Sequence, residues 1–471
     1  MNDPELSATL HDFLAGKRDL DLPFRLELDG KVVHCEQILR LLPSKRLVVK
    51  ARLDGRTCVL KLFSNRHKGR RELVREQRGH QWARQAGLTV ADIMLTTSTA
   101  MVSAVVYDFI EHATPLTMDA AGQVDAVLHY LAGMHQQGLY QQDIHPDNLL
   151  QAEQQIYLID LASVMAPRPK QALTKKQSLQ NLALFFAQFD VLTQQRLLLS
   201  LSVYFSARHW RYTAAEHTHF VRRLRTIWLK RQRDYLQKCF RHCTMTVYEK
   251  TWHYRAAFRR QFWQGRSVSD VLAEIEQAFH HASVLKAGNT ATVIHTTLAG
   301  HQVVIKRYNI KNIWHRLSHC WRTSRAAISW RNANLLEFIG IATPRPWGFI
   351  EKRQGGVRNT AYFISAYEDA EPLLDVYQRR KPTIQEQQQV ATLFQQLRYA
   401  KVRHGDMKAQ NLLLDTTGKI WLIDLDAMQQ CHGRKAAAKA WEKDRQRFLK
   451  NWTDAEMKIS WQQILETKKT R

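Results

Sequence analysis

Three polar residues near the carboxyl end of the chain have the types and spacing that phosphoryl transfer requires. Asp406 is followed five residues later by Asn411, and a hydrophobic segment, predicted to form a hairpin with an Asp-Thr-Thr-Gly turn, then ends at Asp424. Transfer from a nucleotide needs one carboxylate that orients the acceptor hydroxyl, and an amide and a second carboxylate that hold magnesium against the phosphates. The sequence therefore predicts that Asp406 is catalytic and that Asn411 and Asp424 bind magnesium. Lys408 is predicted to stabilise the charge on the transferred group.

The same spacing occurs a second time, closer to the amino terminus. Asp143, Asn148 and Asp160 lie 263, 263 and 264 residues before their three counterparts. We therefore predict that Asp143 is catalytic and that Asn148 and Asp160 bind magnesium. His145 occupies the position of the C-terminal lysine and is predicted to be catalytic as well. The nearly constant offset predicts two units with one common fold.

A lysine upstream of each loop is predicted to bind the nucleotide phosphates. In the C-terminal unit Lys306 follows three β-branched residues, and Gly288 lies in the turn of the preceding predicted strand pair. A lysine on such a strand, beneath a glycine-containing loop, pairs with the α- and β-phosphates. In the N-terminal unit Lys61 ends a similar strand, and Glu76 on the next predicted helix is its expected partner.

The C-terminal unit lacks the corresponding glutamate. Residues 324–340 are predicted to form the helix that faces Lys306. Alignment of the glycines that end the two helices places Ser329 opposite Glu76, and Glu337 lies too near the helix end. Either another acid pairs with Lys306, or this unit tolerates a less constrained lysine.

The N-terminal unit has departures of its own. Its loop before the lysine, residues 42–47, contains no glycine, and Gln141 stands where the C-terminal unit has His404, which is expected to brace the loop. Asp143, Asn148 and Asp160 are nevertheless retained. The N-terminal unit is therefore either catalytic or a degenerate scaffold.

Length and composition suit two domains, each with a core of its own. The chain has 471 residues, of which 45% are hydrophobic and 24% charged, and it has no long Gly/Ser-rich or Pro-rich linker. We predict an α+β fold with two tandem protein-kinase-like domains, each with a small β-rich N-terminal lobe and a helical C-terminal lobe. The predicted divisions are residues 1–165 for the first domain, 166–265 for a basic helical segment that completes its C-terminal lobe and links the domains, and 266–471 for the second domain.

The net charge of +26 requires an anionic partner. An anionic membrane surface, a polyanionic substrate and nucleic acid are the candidates, and nucleic acid is the least favoured. The densest basic stretch, residues 222–233, continues as far as Arg260 and is predicted to form one or two amphipathic helices. Their basic face either contacts a membrane surface or is only solvated.

The sequence also bears on location. The first residues lack the apolar core of a secretory signal, and no apolar run approaches the roughly 20 residues that span a bilayer. The six cysteines include no CxxC pair, so neither a zinc site nor a disulfide framework is expected. These features predict a cytoplasmic protein that is soluble or peripheral.

The C-terminal unit resembles the lipopolysaccharide core kinases, bacterial kinase-fold enzymes that phosphorylate Kdo or heptose. The resemblance extends over roughly residues 283–430. The catalytic loop alone is shared with protein, aminoglycoside and choline kinases, whereas the segments around Ser324 and Thr343 narrow the resemblance to this family. The matching segments are Val304–Asn309, Ser324–Ala326, Ser329–Ala333, Gly340–Pro346 and His404–Asp426.

The resemblance implies an ATP- and magnesium-dependent sugar kinase that acts on heptose or Kdo of the lipopolysaccharide inner core. Its acceptor would be a core or lipid A glycolipid, at the cytoplasmic face of the bacterial inner membrane. One alternative is a scaffold or regulator of lipopolysaccharide assembly made of two pseudokinases. Another is a kinase for a different small molecule or a protein, although no Ala-Pro-Glu anchor follows Asp424. The sequence leaves open which hydroxyl is phosphorylated, whether one or both units are active, and the oligomeric state.

Overall fold

The structure is a computed structural model. It describes residues 8–118, 121–167, 170–288, 291–308, 323–354 and 357–466. Within these ranges the protein is of mixed α+β class, and its multistranded sheets are antiparallel.

The chain forms two compact units. The first comprises Met1–Phe189 and Thr193–Trp228, and the second comprises Asp190–Leu192 and Leu229–Arg471. Residues 166–265, expected to form one segment, are thus divided between the two units at Trp228. The assignment of kinase-like domains to residues 1–165 and 266–471, with residues 166–265 between them, stays a prediction.

The first unit combines a six-stranded sheet with helices and short strand pairs. Its elements, of which the last continues past Trp228, are α1 Ala8–Ala15, β1 Phe24–Leu28, β2 Lys31–Leu42, β3 Arg46–Leu53, β4 Arg56–Ser64, α2 Gly69–Gln85, β5 Ile93–Ser98, β6 Val102–Asp108, β7 Thr114–Pro115, α3 Ala121–Gln136, β8 Tyr140–Gln141, β9 Leu149–Ala152, β10 Gln155–Leu158, β11 Val164–Met165, α4 Lys175–Phe186, α5 Val191–Leu199, α6 Leu201–Ala207 and α7 Ala214–Lys238. The strand order of the large sheet is β1-β2-β3-β4-β6-β5.

The second unit contains a seven-stranded sheet followed by helices and short strand pairs. Its elements after α7 are β12 Thr246–Lys250, β13 Tyr254–Arg259, α8 Arg260–Trp263, α9 Val268–His281, β14 Ser283–Ala287, β15 Ala291–Leu298, β16 His301–Tyr308, α10 Arg325–Ile339, β17 Pro346–Gln354, β18 Val357–Ala366, β19 Ala370–Pro372, α11 Leu373–Arg379, α12 Ile384–Ala400, β20 Val402–Arg403, β21 Leu412–Asp415, β22 Ile420–Leu422, β23 Gln429–Gln430, α13 Arg434–Leu449 and α14 Ala455–Glu466. The large sheet has the order β12-β13-β17-β18-β16-β15-β14.

The buried side chains of the strands, which alternate with more exposed ones, form the hydrophobic core beside the large sheet of each unit. In β3 the residues that point inward are apolar and those between them are partly exposed, as expected for a strand with one buried face. Phe13 of α1 is fully buried against this sheet in the first unit, and Ile275 of α9 is fully buried in the sheet core of the second unit. Each sheet therefore has its own hydrophobic core.

Several local predictions for the C-terminal unit are confirmed. The helix expected from Ser324 to Gly340 is α10, whose amino end is capped because the Ser324 hydroxyl accepts from the Ala327 backbone N–H at 3.0 Å. It ends at Gly340, which adopts a left-handed conformation with φ of 80°. The hairpin expected before Asp424 is the antiparallel pair β21 and β22.

The prediction of helices as far as Arg260 is correct for α7 but wrong for residues 246–259. These residues form β12 and β13, and β13 pairs with β17 in the large sheet of the second unit. The reason is tertiary, since basic side chains of β13 find buried partners there. Arg259 forms an ion pair with Glu337 and donates to Asn334 Oδ1 at 2.5 Å, and the carboxylate of Glu351 lies 3.5 Å from Arg255.

A buried histidine links α3 to two other helices of the first unit. The Nε2 atom of His135 lies 3.0 Å from Asn181 Oδ1, and its Nδ1 lies 2.6 Å from the Tyr204 hydroxyl. Asn181 uses its Nδ2 to donate to the Gln141 carbonyl at 2.8 Å, so its Oδ1 is left to accept from His135 Nε2–H. Burial lowers the pKa of His135 from 6.5 to about 4. The imidazole is therefore neutral in the folded protein.

We expect the stability of the first unit to decrease as the pH falls from 6.5 towards about 4. In this range the unfolded chain binds a proton at His135 that the folded state does not, so lower pH favours unfolding by up to about 3 kcal/mol. Urea unfolding across this pH range measures the effect. His135→Gln should remove this component of the pH dependence, whereas His129→Gln, at an exposed position of the same helix, should retain it. Equal pH dependence in all three proteins would contradict the prediction.

Among the described residues, no helix is both long and apolar enough to cross a bilayer.

Candidate active site

The loop of residues 404–411 carries the predicted catalytic groups of the second unit and lies between β20 and β21. Its first residue, His404, is fully buried and donates from Nε2 to the Ile423 carbonyl at 2.9 Å. The backbone N–H of Ile423 donates in turn to the Asn411 carbonyl at 3.0 Å. His404 thus connects the loop to the segment before Asp424, which agrees with its expected bracing role.

Asp444, a buried carboxylate on α13, also holds the loop and was not expected from the sequence. Its two oxygens accept the backbone N–H groups of His404 and Gly405 at 2.7 and 3.0 Å. Burial raises the pKa of Asp444, and the two backbone hydrogen bonds oppose this rise. Gly405 has φ of 90°, a conformation that favours glycine. A short-range pattern could not reveal Asp444, because it lies about 40 residues downstream on a helix of predominantly basic charge.

We expect Asp444→Ala to lower the phosphoryl transfer that the sequence predicts for this loop by about ten- to hundredfold, because two backbone N–H groups of the loop lose their acceptor. The change should appear in kcat more than in the KM for ATP. Steady-state kinetics measures this difference, and Asp454→Ala, at a helix start elsewhere in the second unit, is a control of the same chemical type. Unchanged kcat in a folded Asp444→Ala protein would contradict the prediction.

The predicted catalytic residue Asp406 is half-buried and lies between two cations. Its carboxylate lies 3.0 Å from Lys408 Nζ and 3.3 Å from Arg447 Nε. Burial acts to raise the pKa of Asp406, but the hydrogen bonds and charges of Lys408 and Arg447 lower it below the usual value. The Asn411 amide donates from Nδ2 to the Asp406 carbonyl at 2.7 Å. Asp406 is therefore ionised. Because Asn411 donates through Nδ2, its Oδ1 is the side-chain atom that could bind a cation.

The lysine of the second unit that is predicted to bind phosphate contacts two carboxylates that follow β22. Lys306 Nζ lies 2.5 Å from Asp424 Oδ1 and 3.4 Å from Asp426 Oδ2. Arg325, at the start of α10, also binds Asp426, at 2.6 Å. Burial acts to raise the pKa of Asp424, but Lys306 lowers it below its usual value. The structure thus pairs Lys306 with Asp424 and Asp426, whereas the sequence left the partner of this lysine open.

Gly288 lies at the end of β14, and its backbone N–H donates to the Ala291 carbonyl at 3.1 Å. The two residues that complete this turn, 289 and 290, lie outside the described residues. The role of Gly288 over the phosphates stays a prediction.

The first unit contains the lysine and glutamate pair expected from its sequence. Lys61 Nζ forms an ion pair with the Glu76 carboxylate, which is fully buried. The Tyr107 hydroxyl donates to Glu76 Oε1 at 3.1 Å, and the Ala162 backbone N–H donates to Oε2 at 2.8 Å. These donors fix the orientation of the Glu76 carboxylate beside Lys61.

The corresponding loop of the first unit, residues 141–148, is held by the side-chain amide of Gln141. Gln141 Nε2 donates to the carbonyls of Ile159 and Asp160 at 2.9 and 3.1 Å, so it makes the connection that His404 makes in the second unit. The Asn148 Nδ2 donates to the Asp143 carbonyl at 3.0 Å. Replacement of the histidine therefore preserves the loop geometry.

The remaining predicted residues of the first unit have different surroundings from their counterparts. Asp143 is exposed, and His145 Nδ1 lies 3.2 Å from Asp147 Oδ2. Asp160 lies 3.3 Å from Arg46 NH1, at the start of β3. The Arg46 guanidinium therefore lies beside the carboxylate that is predicted to bind magnesium.

A cavity of about 500 Å³ lies in the first unit between its sheet and the loop that contains Asn148. Polar groups line one part, among them Lys61, Glu76, Asn148 and Asp160, and apolar side chains line the rest. Such a combination of apolar walls and a few polar groups is typical of small-molecule sites. The apolar lining includes Val48, Val59, Leu150 and Leu158.

The residues at both sites fit magnesium only in combination with a nucleotide. Among the described residues there is no group of three or more His, Cys, Asp or Glu side chains arranged to hold a metal ion. One carboxylate and one amide oxygen at each loop are hard oxygen donors, and magnesium commonly completes such a set with phosphate oxygens and water. Asn411 and Asp424 would hold the ion in the second unit, and Asn148 and Asp160 in the first.

Comparison with known proteins gives a family match within the second unit. Residues 277–467 match the model of the Lipopolysaccharide kinase (Kdo/WaaP) family, a range that lies entirely within this unit. A 3-deoxy-D-manno-octulosonic acid kinase of Pasteurella multocida is 27% identical over 221 residues, which cover 44% of this chain and 88% of that protein. A protein of the same name from Photobacterium profundum is 25% identical over 130 residues, or 28% and 55% of the two chains. The C-terminal region of this chain therefore matches the lipopolysaccharide kinase (Kdo/WaaP) family, which confirms the resemblance drawn from its sequence.

Proposed function

We propose that the second unit transfers the γ-phosphoryl group of ATP, as its magnesium complex, to a Kdo hydroxyl of the lipopolysaccharide inner core. The observation that carries the proposal is the arrangement of Asp406, Asn411, Lys306 and Asp424 within the family-matched range. Heptose is the second candidate acceptor, because the resemblance from the sequence implies either sugar. The names of both relatives favour Kdo.

Each side chain has a role that its surroundings support. Asp406, ionised beside Lys408 and Arg447, would orient the acceptor hydroxyl and accept its proton late in the reaction. Lys408 would then stabilise the charge on the transferred group. Lys306 would pair with the α- and β-phosphates, while Asn411 and Asp424 would hold magnesium against the phosphates.

We propose that the first unit has the same kinase-like fold and binds a nucleotide in its cavity. Lys61 and Glu76 support nucleotide binding there. The exposed Asp143, with His145 beside Asp147, and the contact of Arg46 with Asp160 favour a regulatory or scaffolding role over catalysis. A chain in which neither unit transfers phosphate, the two-pseudokinase scaffold, is the competing hypothesis.

The acceptor and the positive charge support a location at the inner face of the bacterial inner membrane. The net charge of +26 would attract an anionic leaflet and a phosphorylated glycolipid, with about 1 kcal/mol for each basic residue near the surface. Co-sedimentation with anionic and with neutral vesicles, at low and high salt, tests this location. Equal binding to both vesicle types would contradict it.

The direct test of function uses the purified full chain with ATP and magnesium and two acceptors, Kdo–lipid A and a heptosylated core. We expect mass spectrometry to show one added phosphate on Kdo–lipid A, lost when EDTA removes the magnesium. Phosphate on heptose instead would assign the second acceptor. Nucleotide binding without phosphate on either acceptor would favour the scaffold.

A further inference from the structure

We propose that Asp426 positions the phosphate lysine of the second unit, in place of the helix glutamate that performs this task in the first unit. The inference rests on the proposed function, because it takes Lys306 to contact the nucleotide phosphates. It explains how the second unit keeps an ordered lysine although Ser329 stands at the position of Glu76.

The first unit shows what the lysine partner needs. The Glu76 carboxylate is fully buried and is fixed by three donors, namely Lys61 Nζ, the Tyr107 hydroxyl and the Ala162 backbone N–H. The partner of the lysine is thus an acid whose own orientation is set by its neighbours.

In the second unit the helix position cannot supply this acid. Ser329 is buried, and its hydroxyl lies 2.9 Å from the Tyr308 hydroxyl. An acid appears instead at the position of Ala162, since Asp426 lies 264 residues after it, the same offset as between Asp160 and Asp424. The side chain of Asp426 is only 7% exposed, and Lys306 and Arg325 bind it at 3.4 and 2.6 Å.

A third position changes together with these two. In the first unit a Cβ atom at Gly79 would lie 1.9 Å from the Leu161 carbonyl, so helix α2 packs directly on the turn that follows Asp160. The corresponding residue of the second unit is Asn332. Its Nδ2 donates to the carbonyls of Leu425 and Met428 at 2.8 and 3.0 Å.

These changes form one alternative arrangement. In the first unit a glycine lets the helix backbone touch the turn, and the helix supplies the acid. In the second unit an asparagine side chain lies between helix and turn, and the turn supplies the acid. The acid has moved from Glu76 on the helix to Asp426 on the turn.

Asp426 also resolves a conflict between two tasks of Asp424. Asp424 contacts Lys306 at 2.5 Å, yet the proposed function assigns it to magnesium. With magnesium bound, the Asp424 carboxylate would interact with two cations, the metal ion and Lys306, and its contact with Lys306 would weaken. Asp426 then remains as the carboxylate that keeps Lys306 directed at the phosphates.

The test measures nucleotide affinity at each lysine of the full chain separately. An acyl phosphate derivative of ATP acylates a lysine amine beside the phosphates and releases the nucleotide, and mass spectrometry then quantifies labelled Lys306 and Lys61 in one sample. Competition with ATP and magnesium gives the half-saturating concentration at each lysine. The variants are Asp426→Asn, Asp426→Glu and, as a charge-matched control on α11, Asp375→Asn. Asp426→Ser provides a second neutral side chain if the asparagine variant unfolds on heating earlier than the control.

We expect the neutral variants to raise the half-saturating concentration at Lys306 by about ten- to hundredfold, with Lys61 unchanged. Asp426→Glu and Asp375→Asn should stay within about threefold of the wild type, since each keeps a carboxylate at position 426. Unchanged competition at Lys306 in a folded neutral variant, or equal losses in the asparagine and glutamate variants, would overturn the inference but leave the proposed function standing. Wild-type protein in which ATP does not compete for Lys306 would overturn both.

Discussion

Asp406→Asn is expected to lower kcat for phosphate transfer to Kdo–lipid A by about 10²- to 10⁴-fold, while the affinity for ATP and magnesium changes little. The substitution keeps the size of the side chain and its position between Lys408 and Arg447. It removes the carboxylate that orients the acceptor hydroxyl and receives its proton. Single-turnover transfer of labelled phosphate measures the effect, and the competition assay at Lys306 measures the affinity.

The matched control is Asp143→Asn, at the equivalent position of the first unit. Because Asp143 is exposed and Arg46 lies beside Asp160, we expect transfer within about threefold of the wild type. Loss of transfer in Asp143→Asn together with normal transfer in Asp406→Asn would place catalysis in the first unit. Loss of distinct phosphates in the two variants would mean that both units are catalytic.

Lys61→Met and Lys306→Met are expected to fail in different ways, although they remove the same group from equivalent positions. Lys61→Met leaves the Glu76 carboxylate fully buried without its cation, and we expect it to destabilise the first unit by about 3–5 kcal/mol. Lys306→Met leaves Asp426 paired with Arg325 and Asp424 partly exposed, so its cost in stability should be smaller.

The functional consequence of the two substitutions is expected in the opposite order. Lys306→Met should weaken ATP binding by the second unit by about ten- to hundredfold and reduce transfer accordingly. Urea unfolding measures stability, and steady-state kinetics measures the KM for ATP. Equal destabilisation by both substitutions would contradict the prediction that loss of the lysine costs more stability beside the fully buried Glu76. Normal transfer by Lys306→Met would contradict the role of Lys306.

The sequence located the loops well because their chemistry is local. Asp406 and Asn411 are separated by a spacing that the short turn itself imposes, and the hairpin that delivers Asp424 has a recognisable turn. The same holds for α10, since its cap at Ser324 and its glycine end are both visible in the chain. These features needed no knowledge of distant contacts.

The helix prediction for residues 246–259 was wrong because their mixture of basic and aromatic residues is also typical of an amphipathic helix. The strand β13 forms because β17, far away in sequence, offers backbone groups to pair with. The half-buried Glu337 and the buried Glu351 then neutralise its arginines. Pairing with a strand that is remote in sequence therefore outweighed the local propensity of these residues.

The sequence by itself determined the residue types, the nearly constant offset between two sets of site residues, and the family resemblance of the C-terminal unit. It left the partner of Lys306 open between another acid and none. Only the tertiary structure assigned Asp426 to Lys306 and Asp444 to the backbone of the catalytic loop. The reason is that such partners are selected by distance in space and by burial, whereas the chain separates them by about 120 and 40 residues.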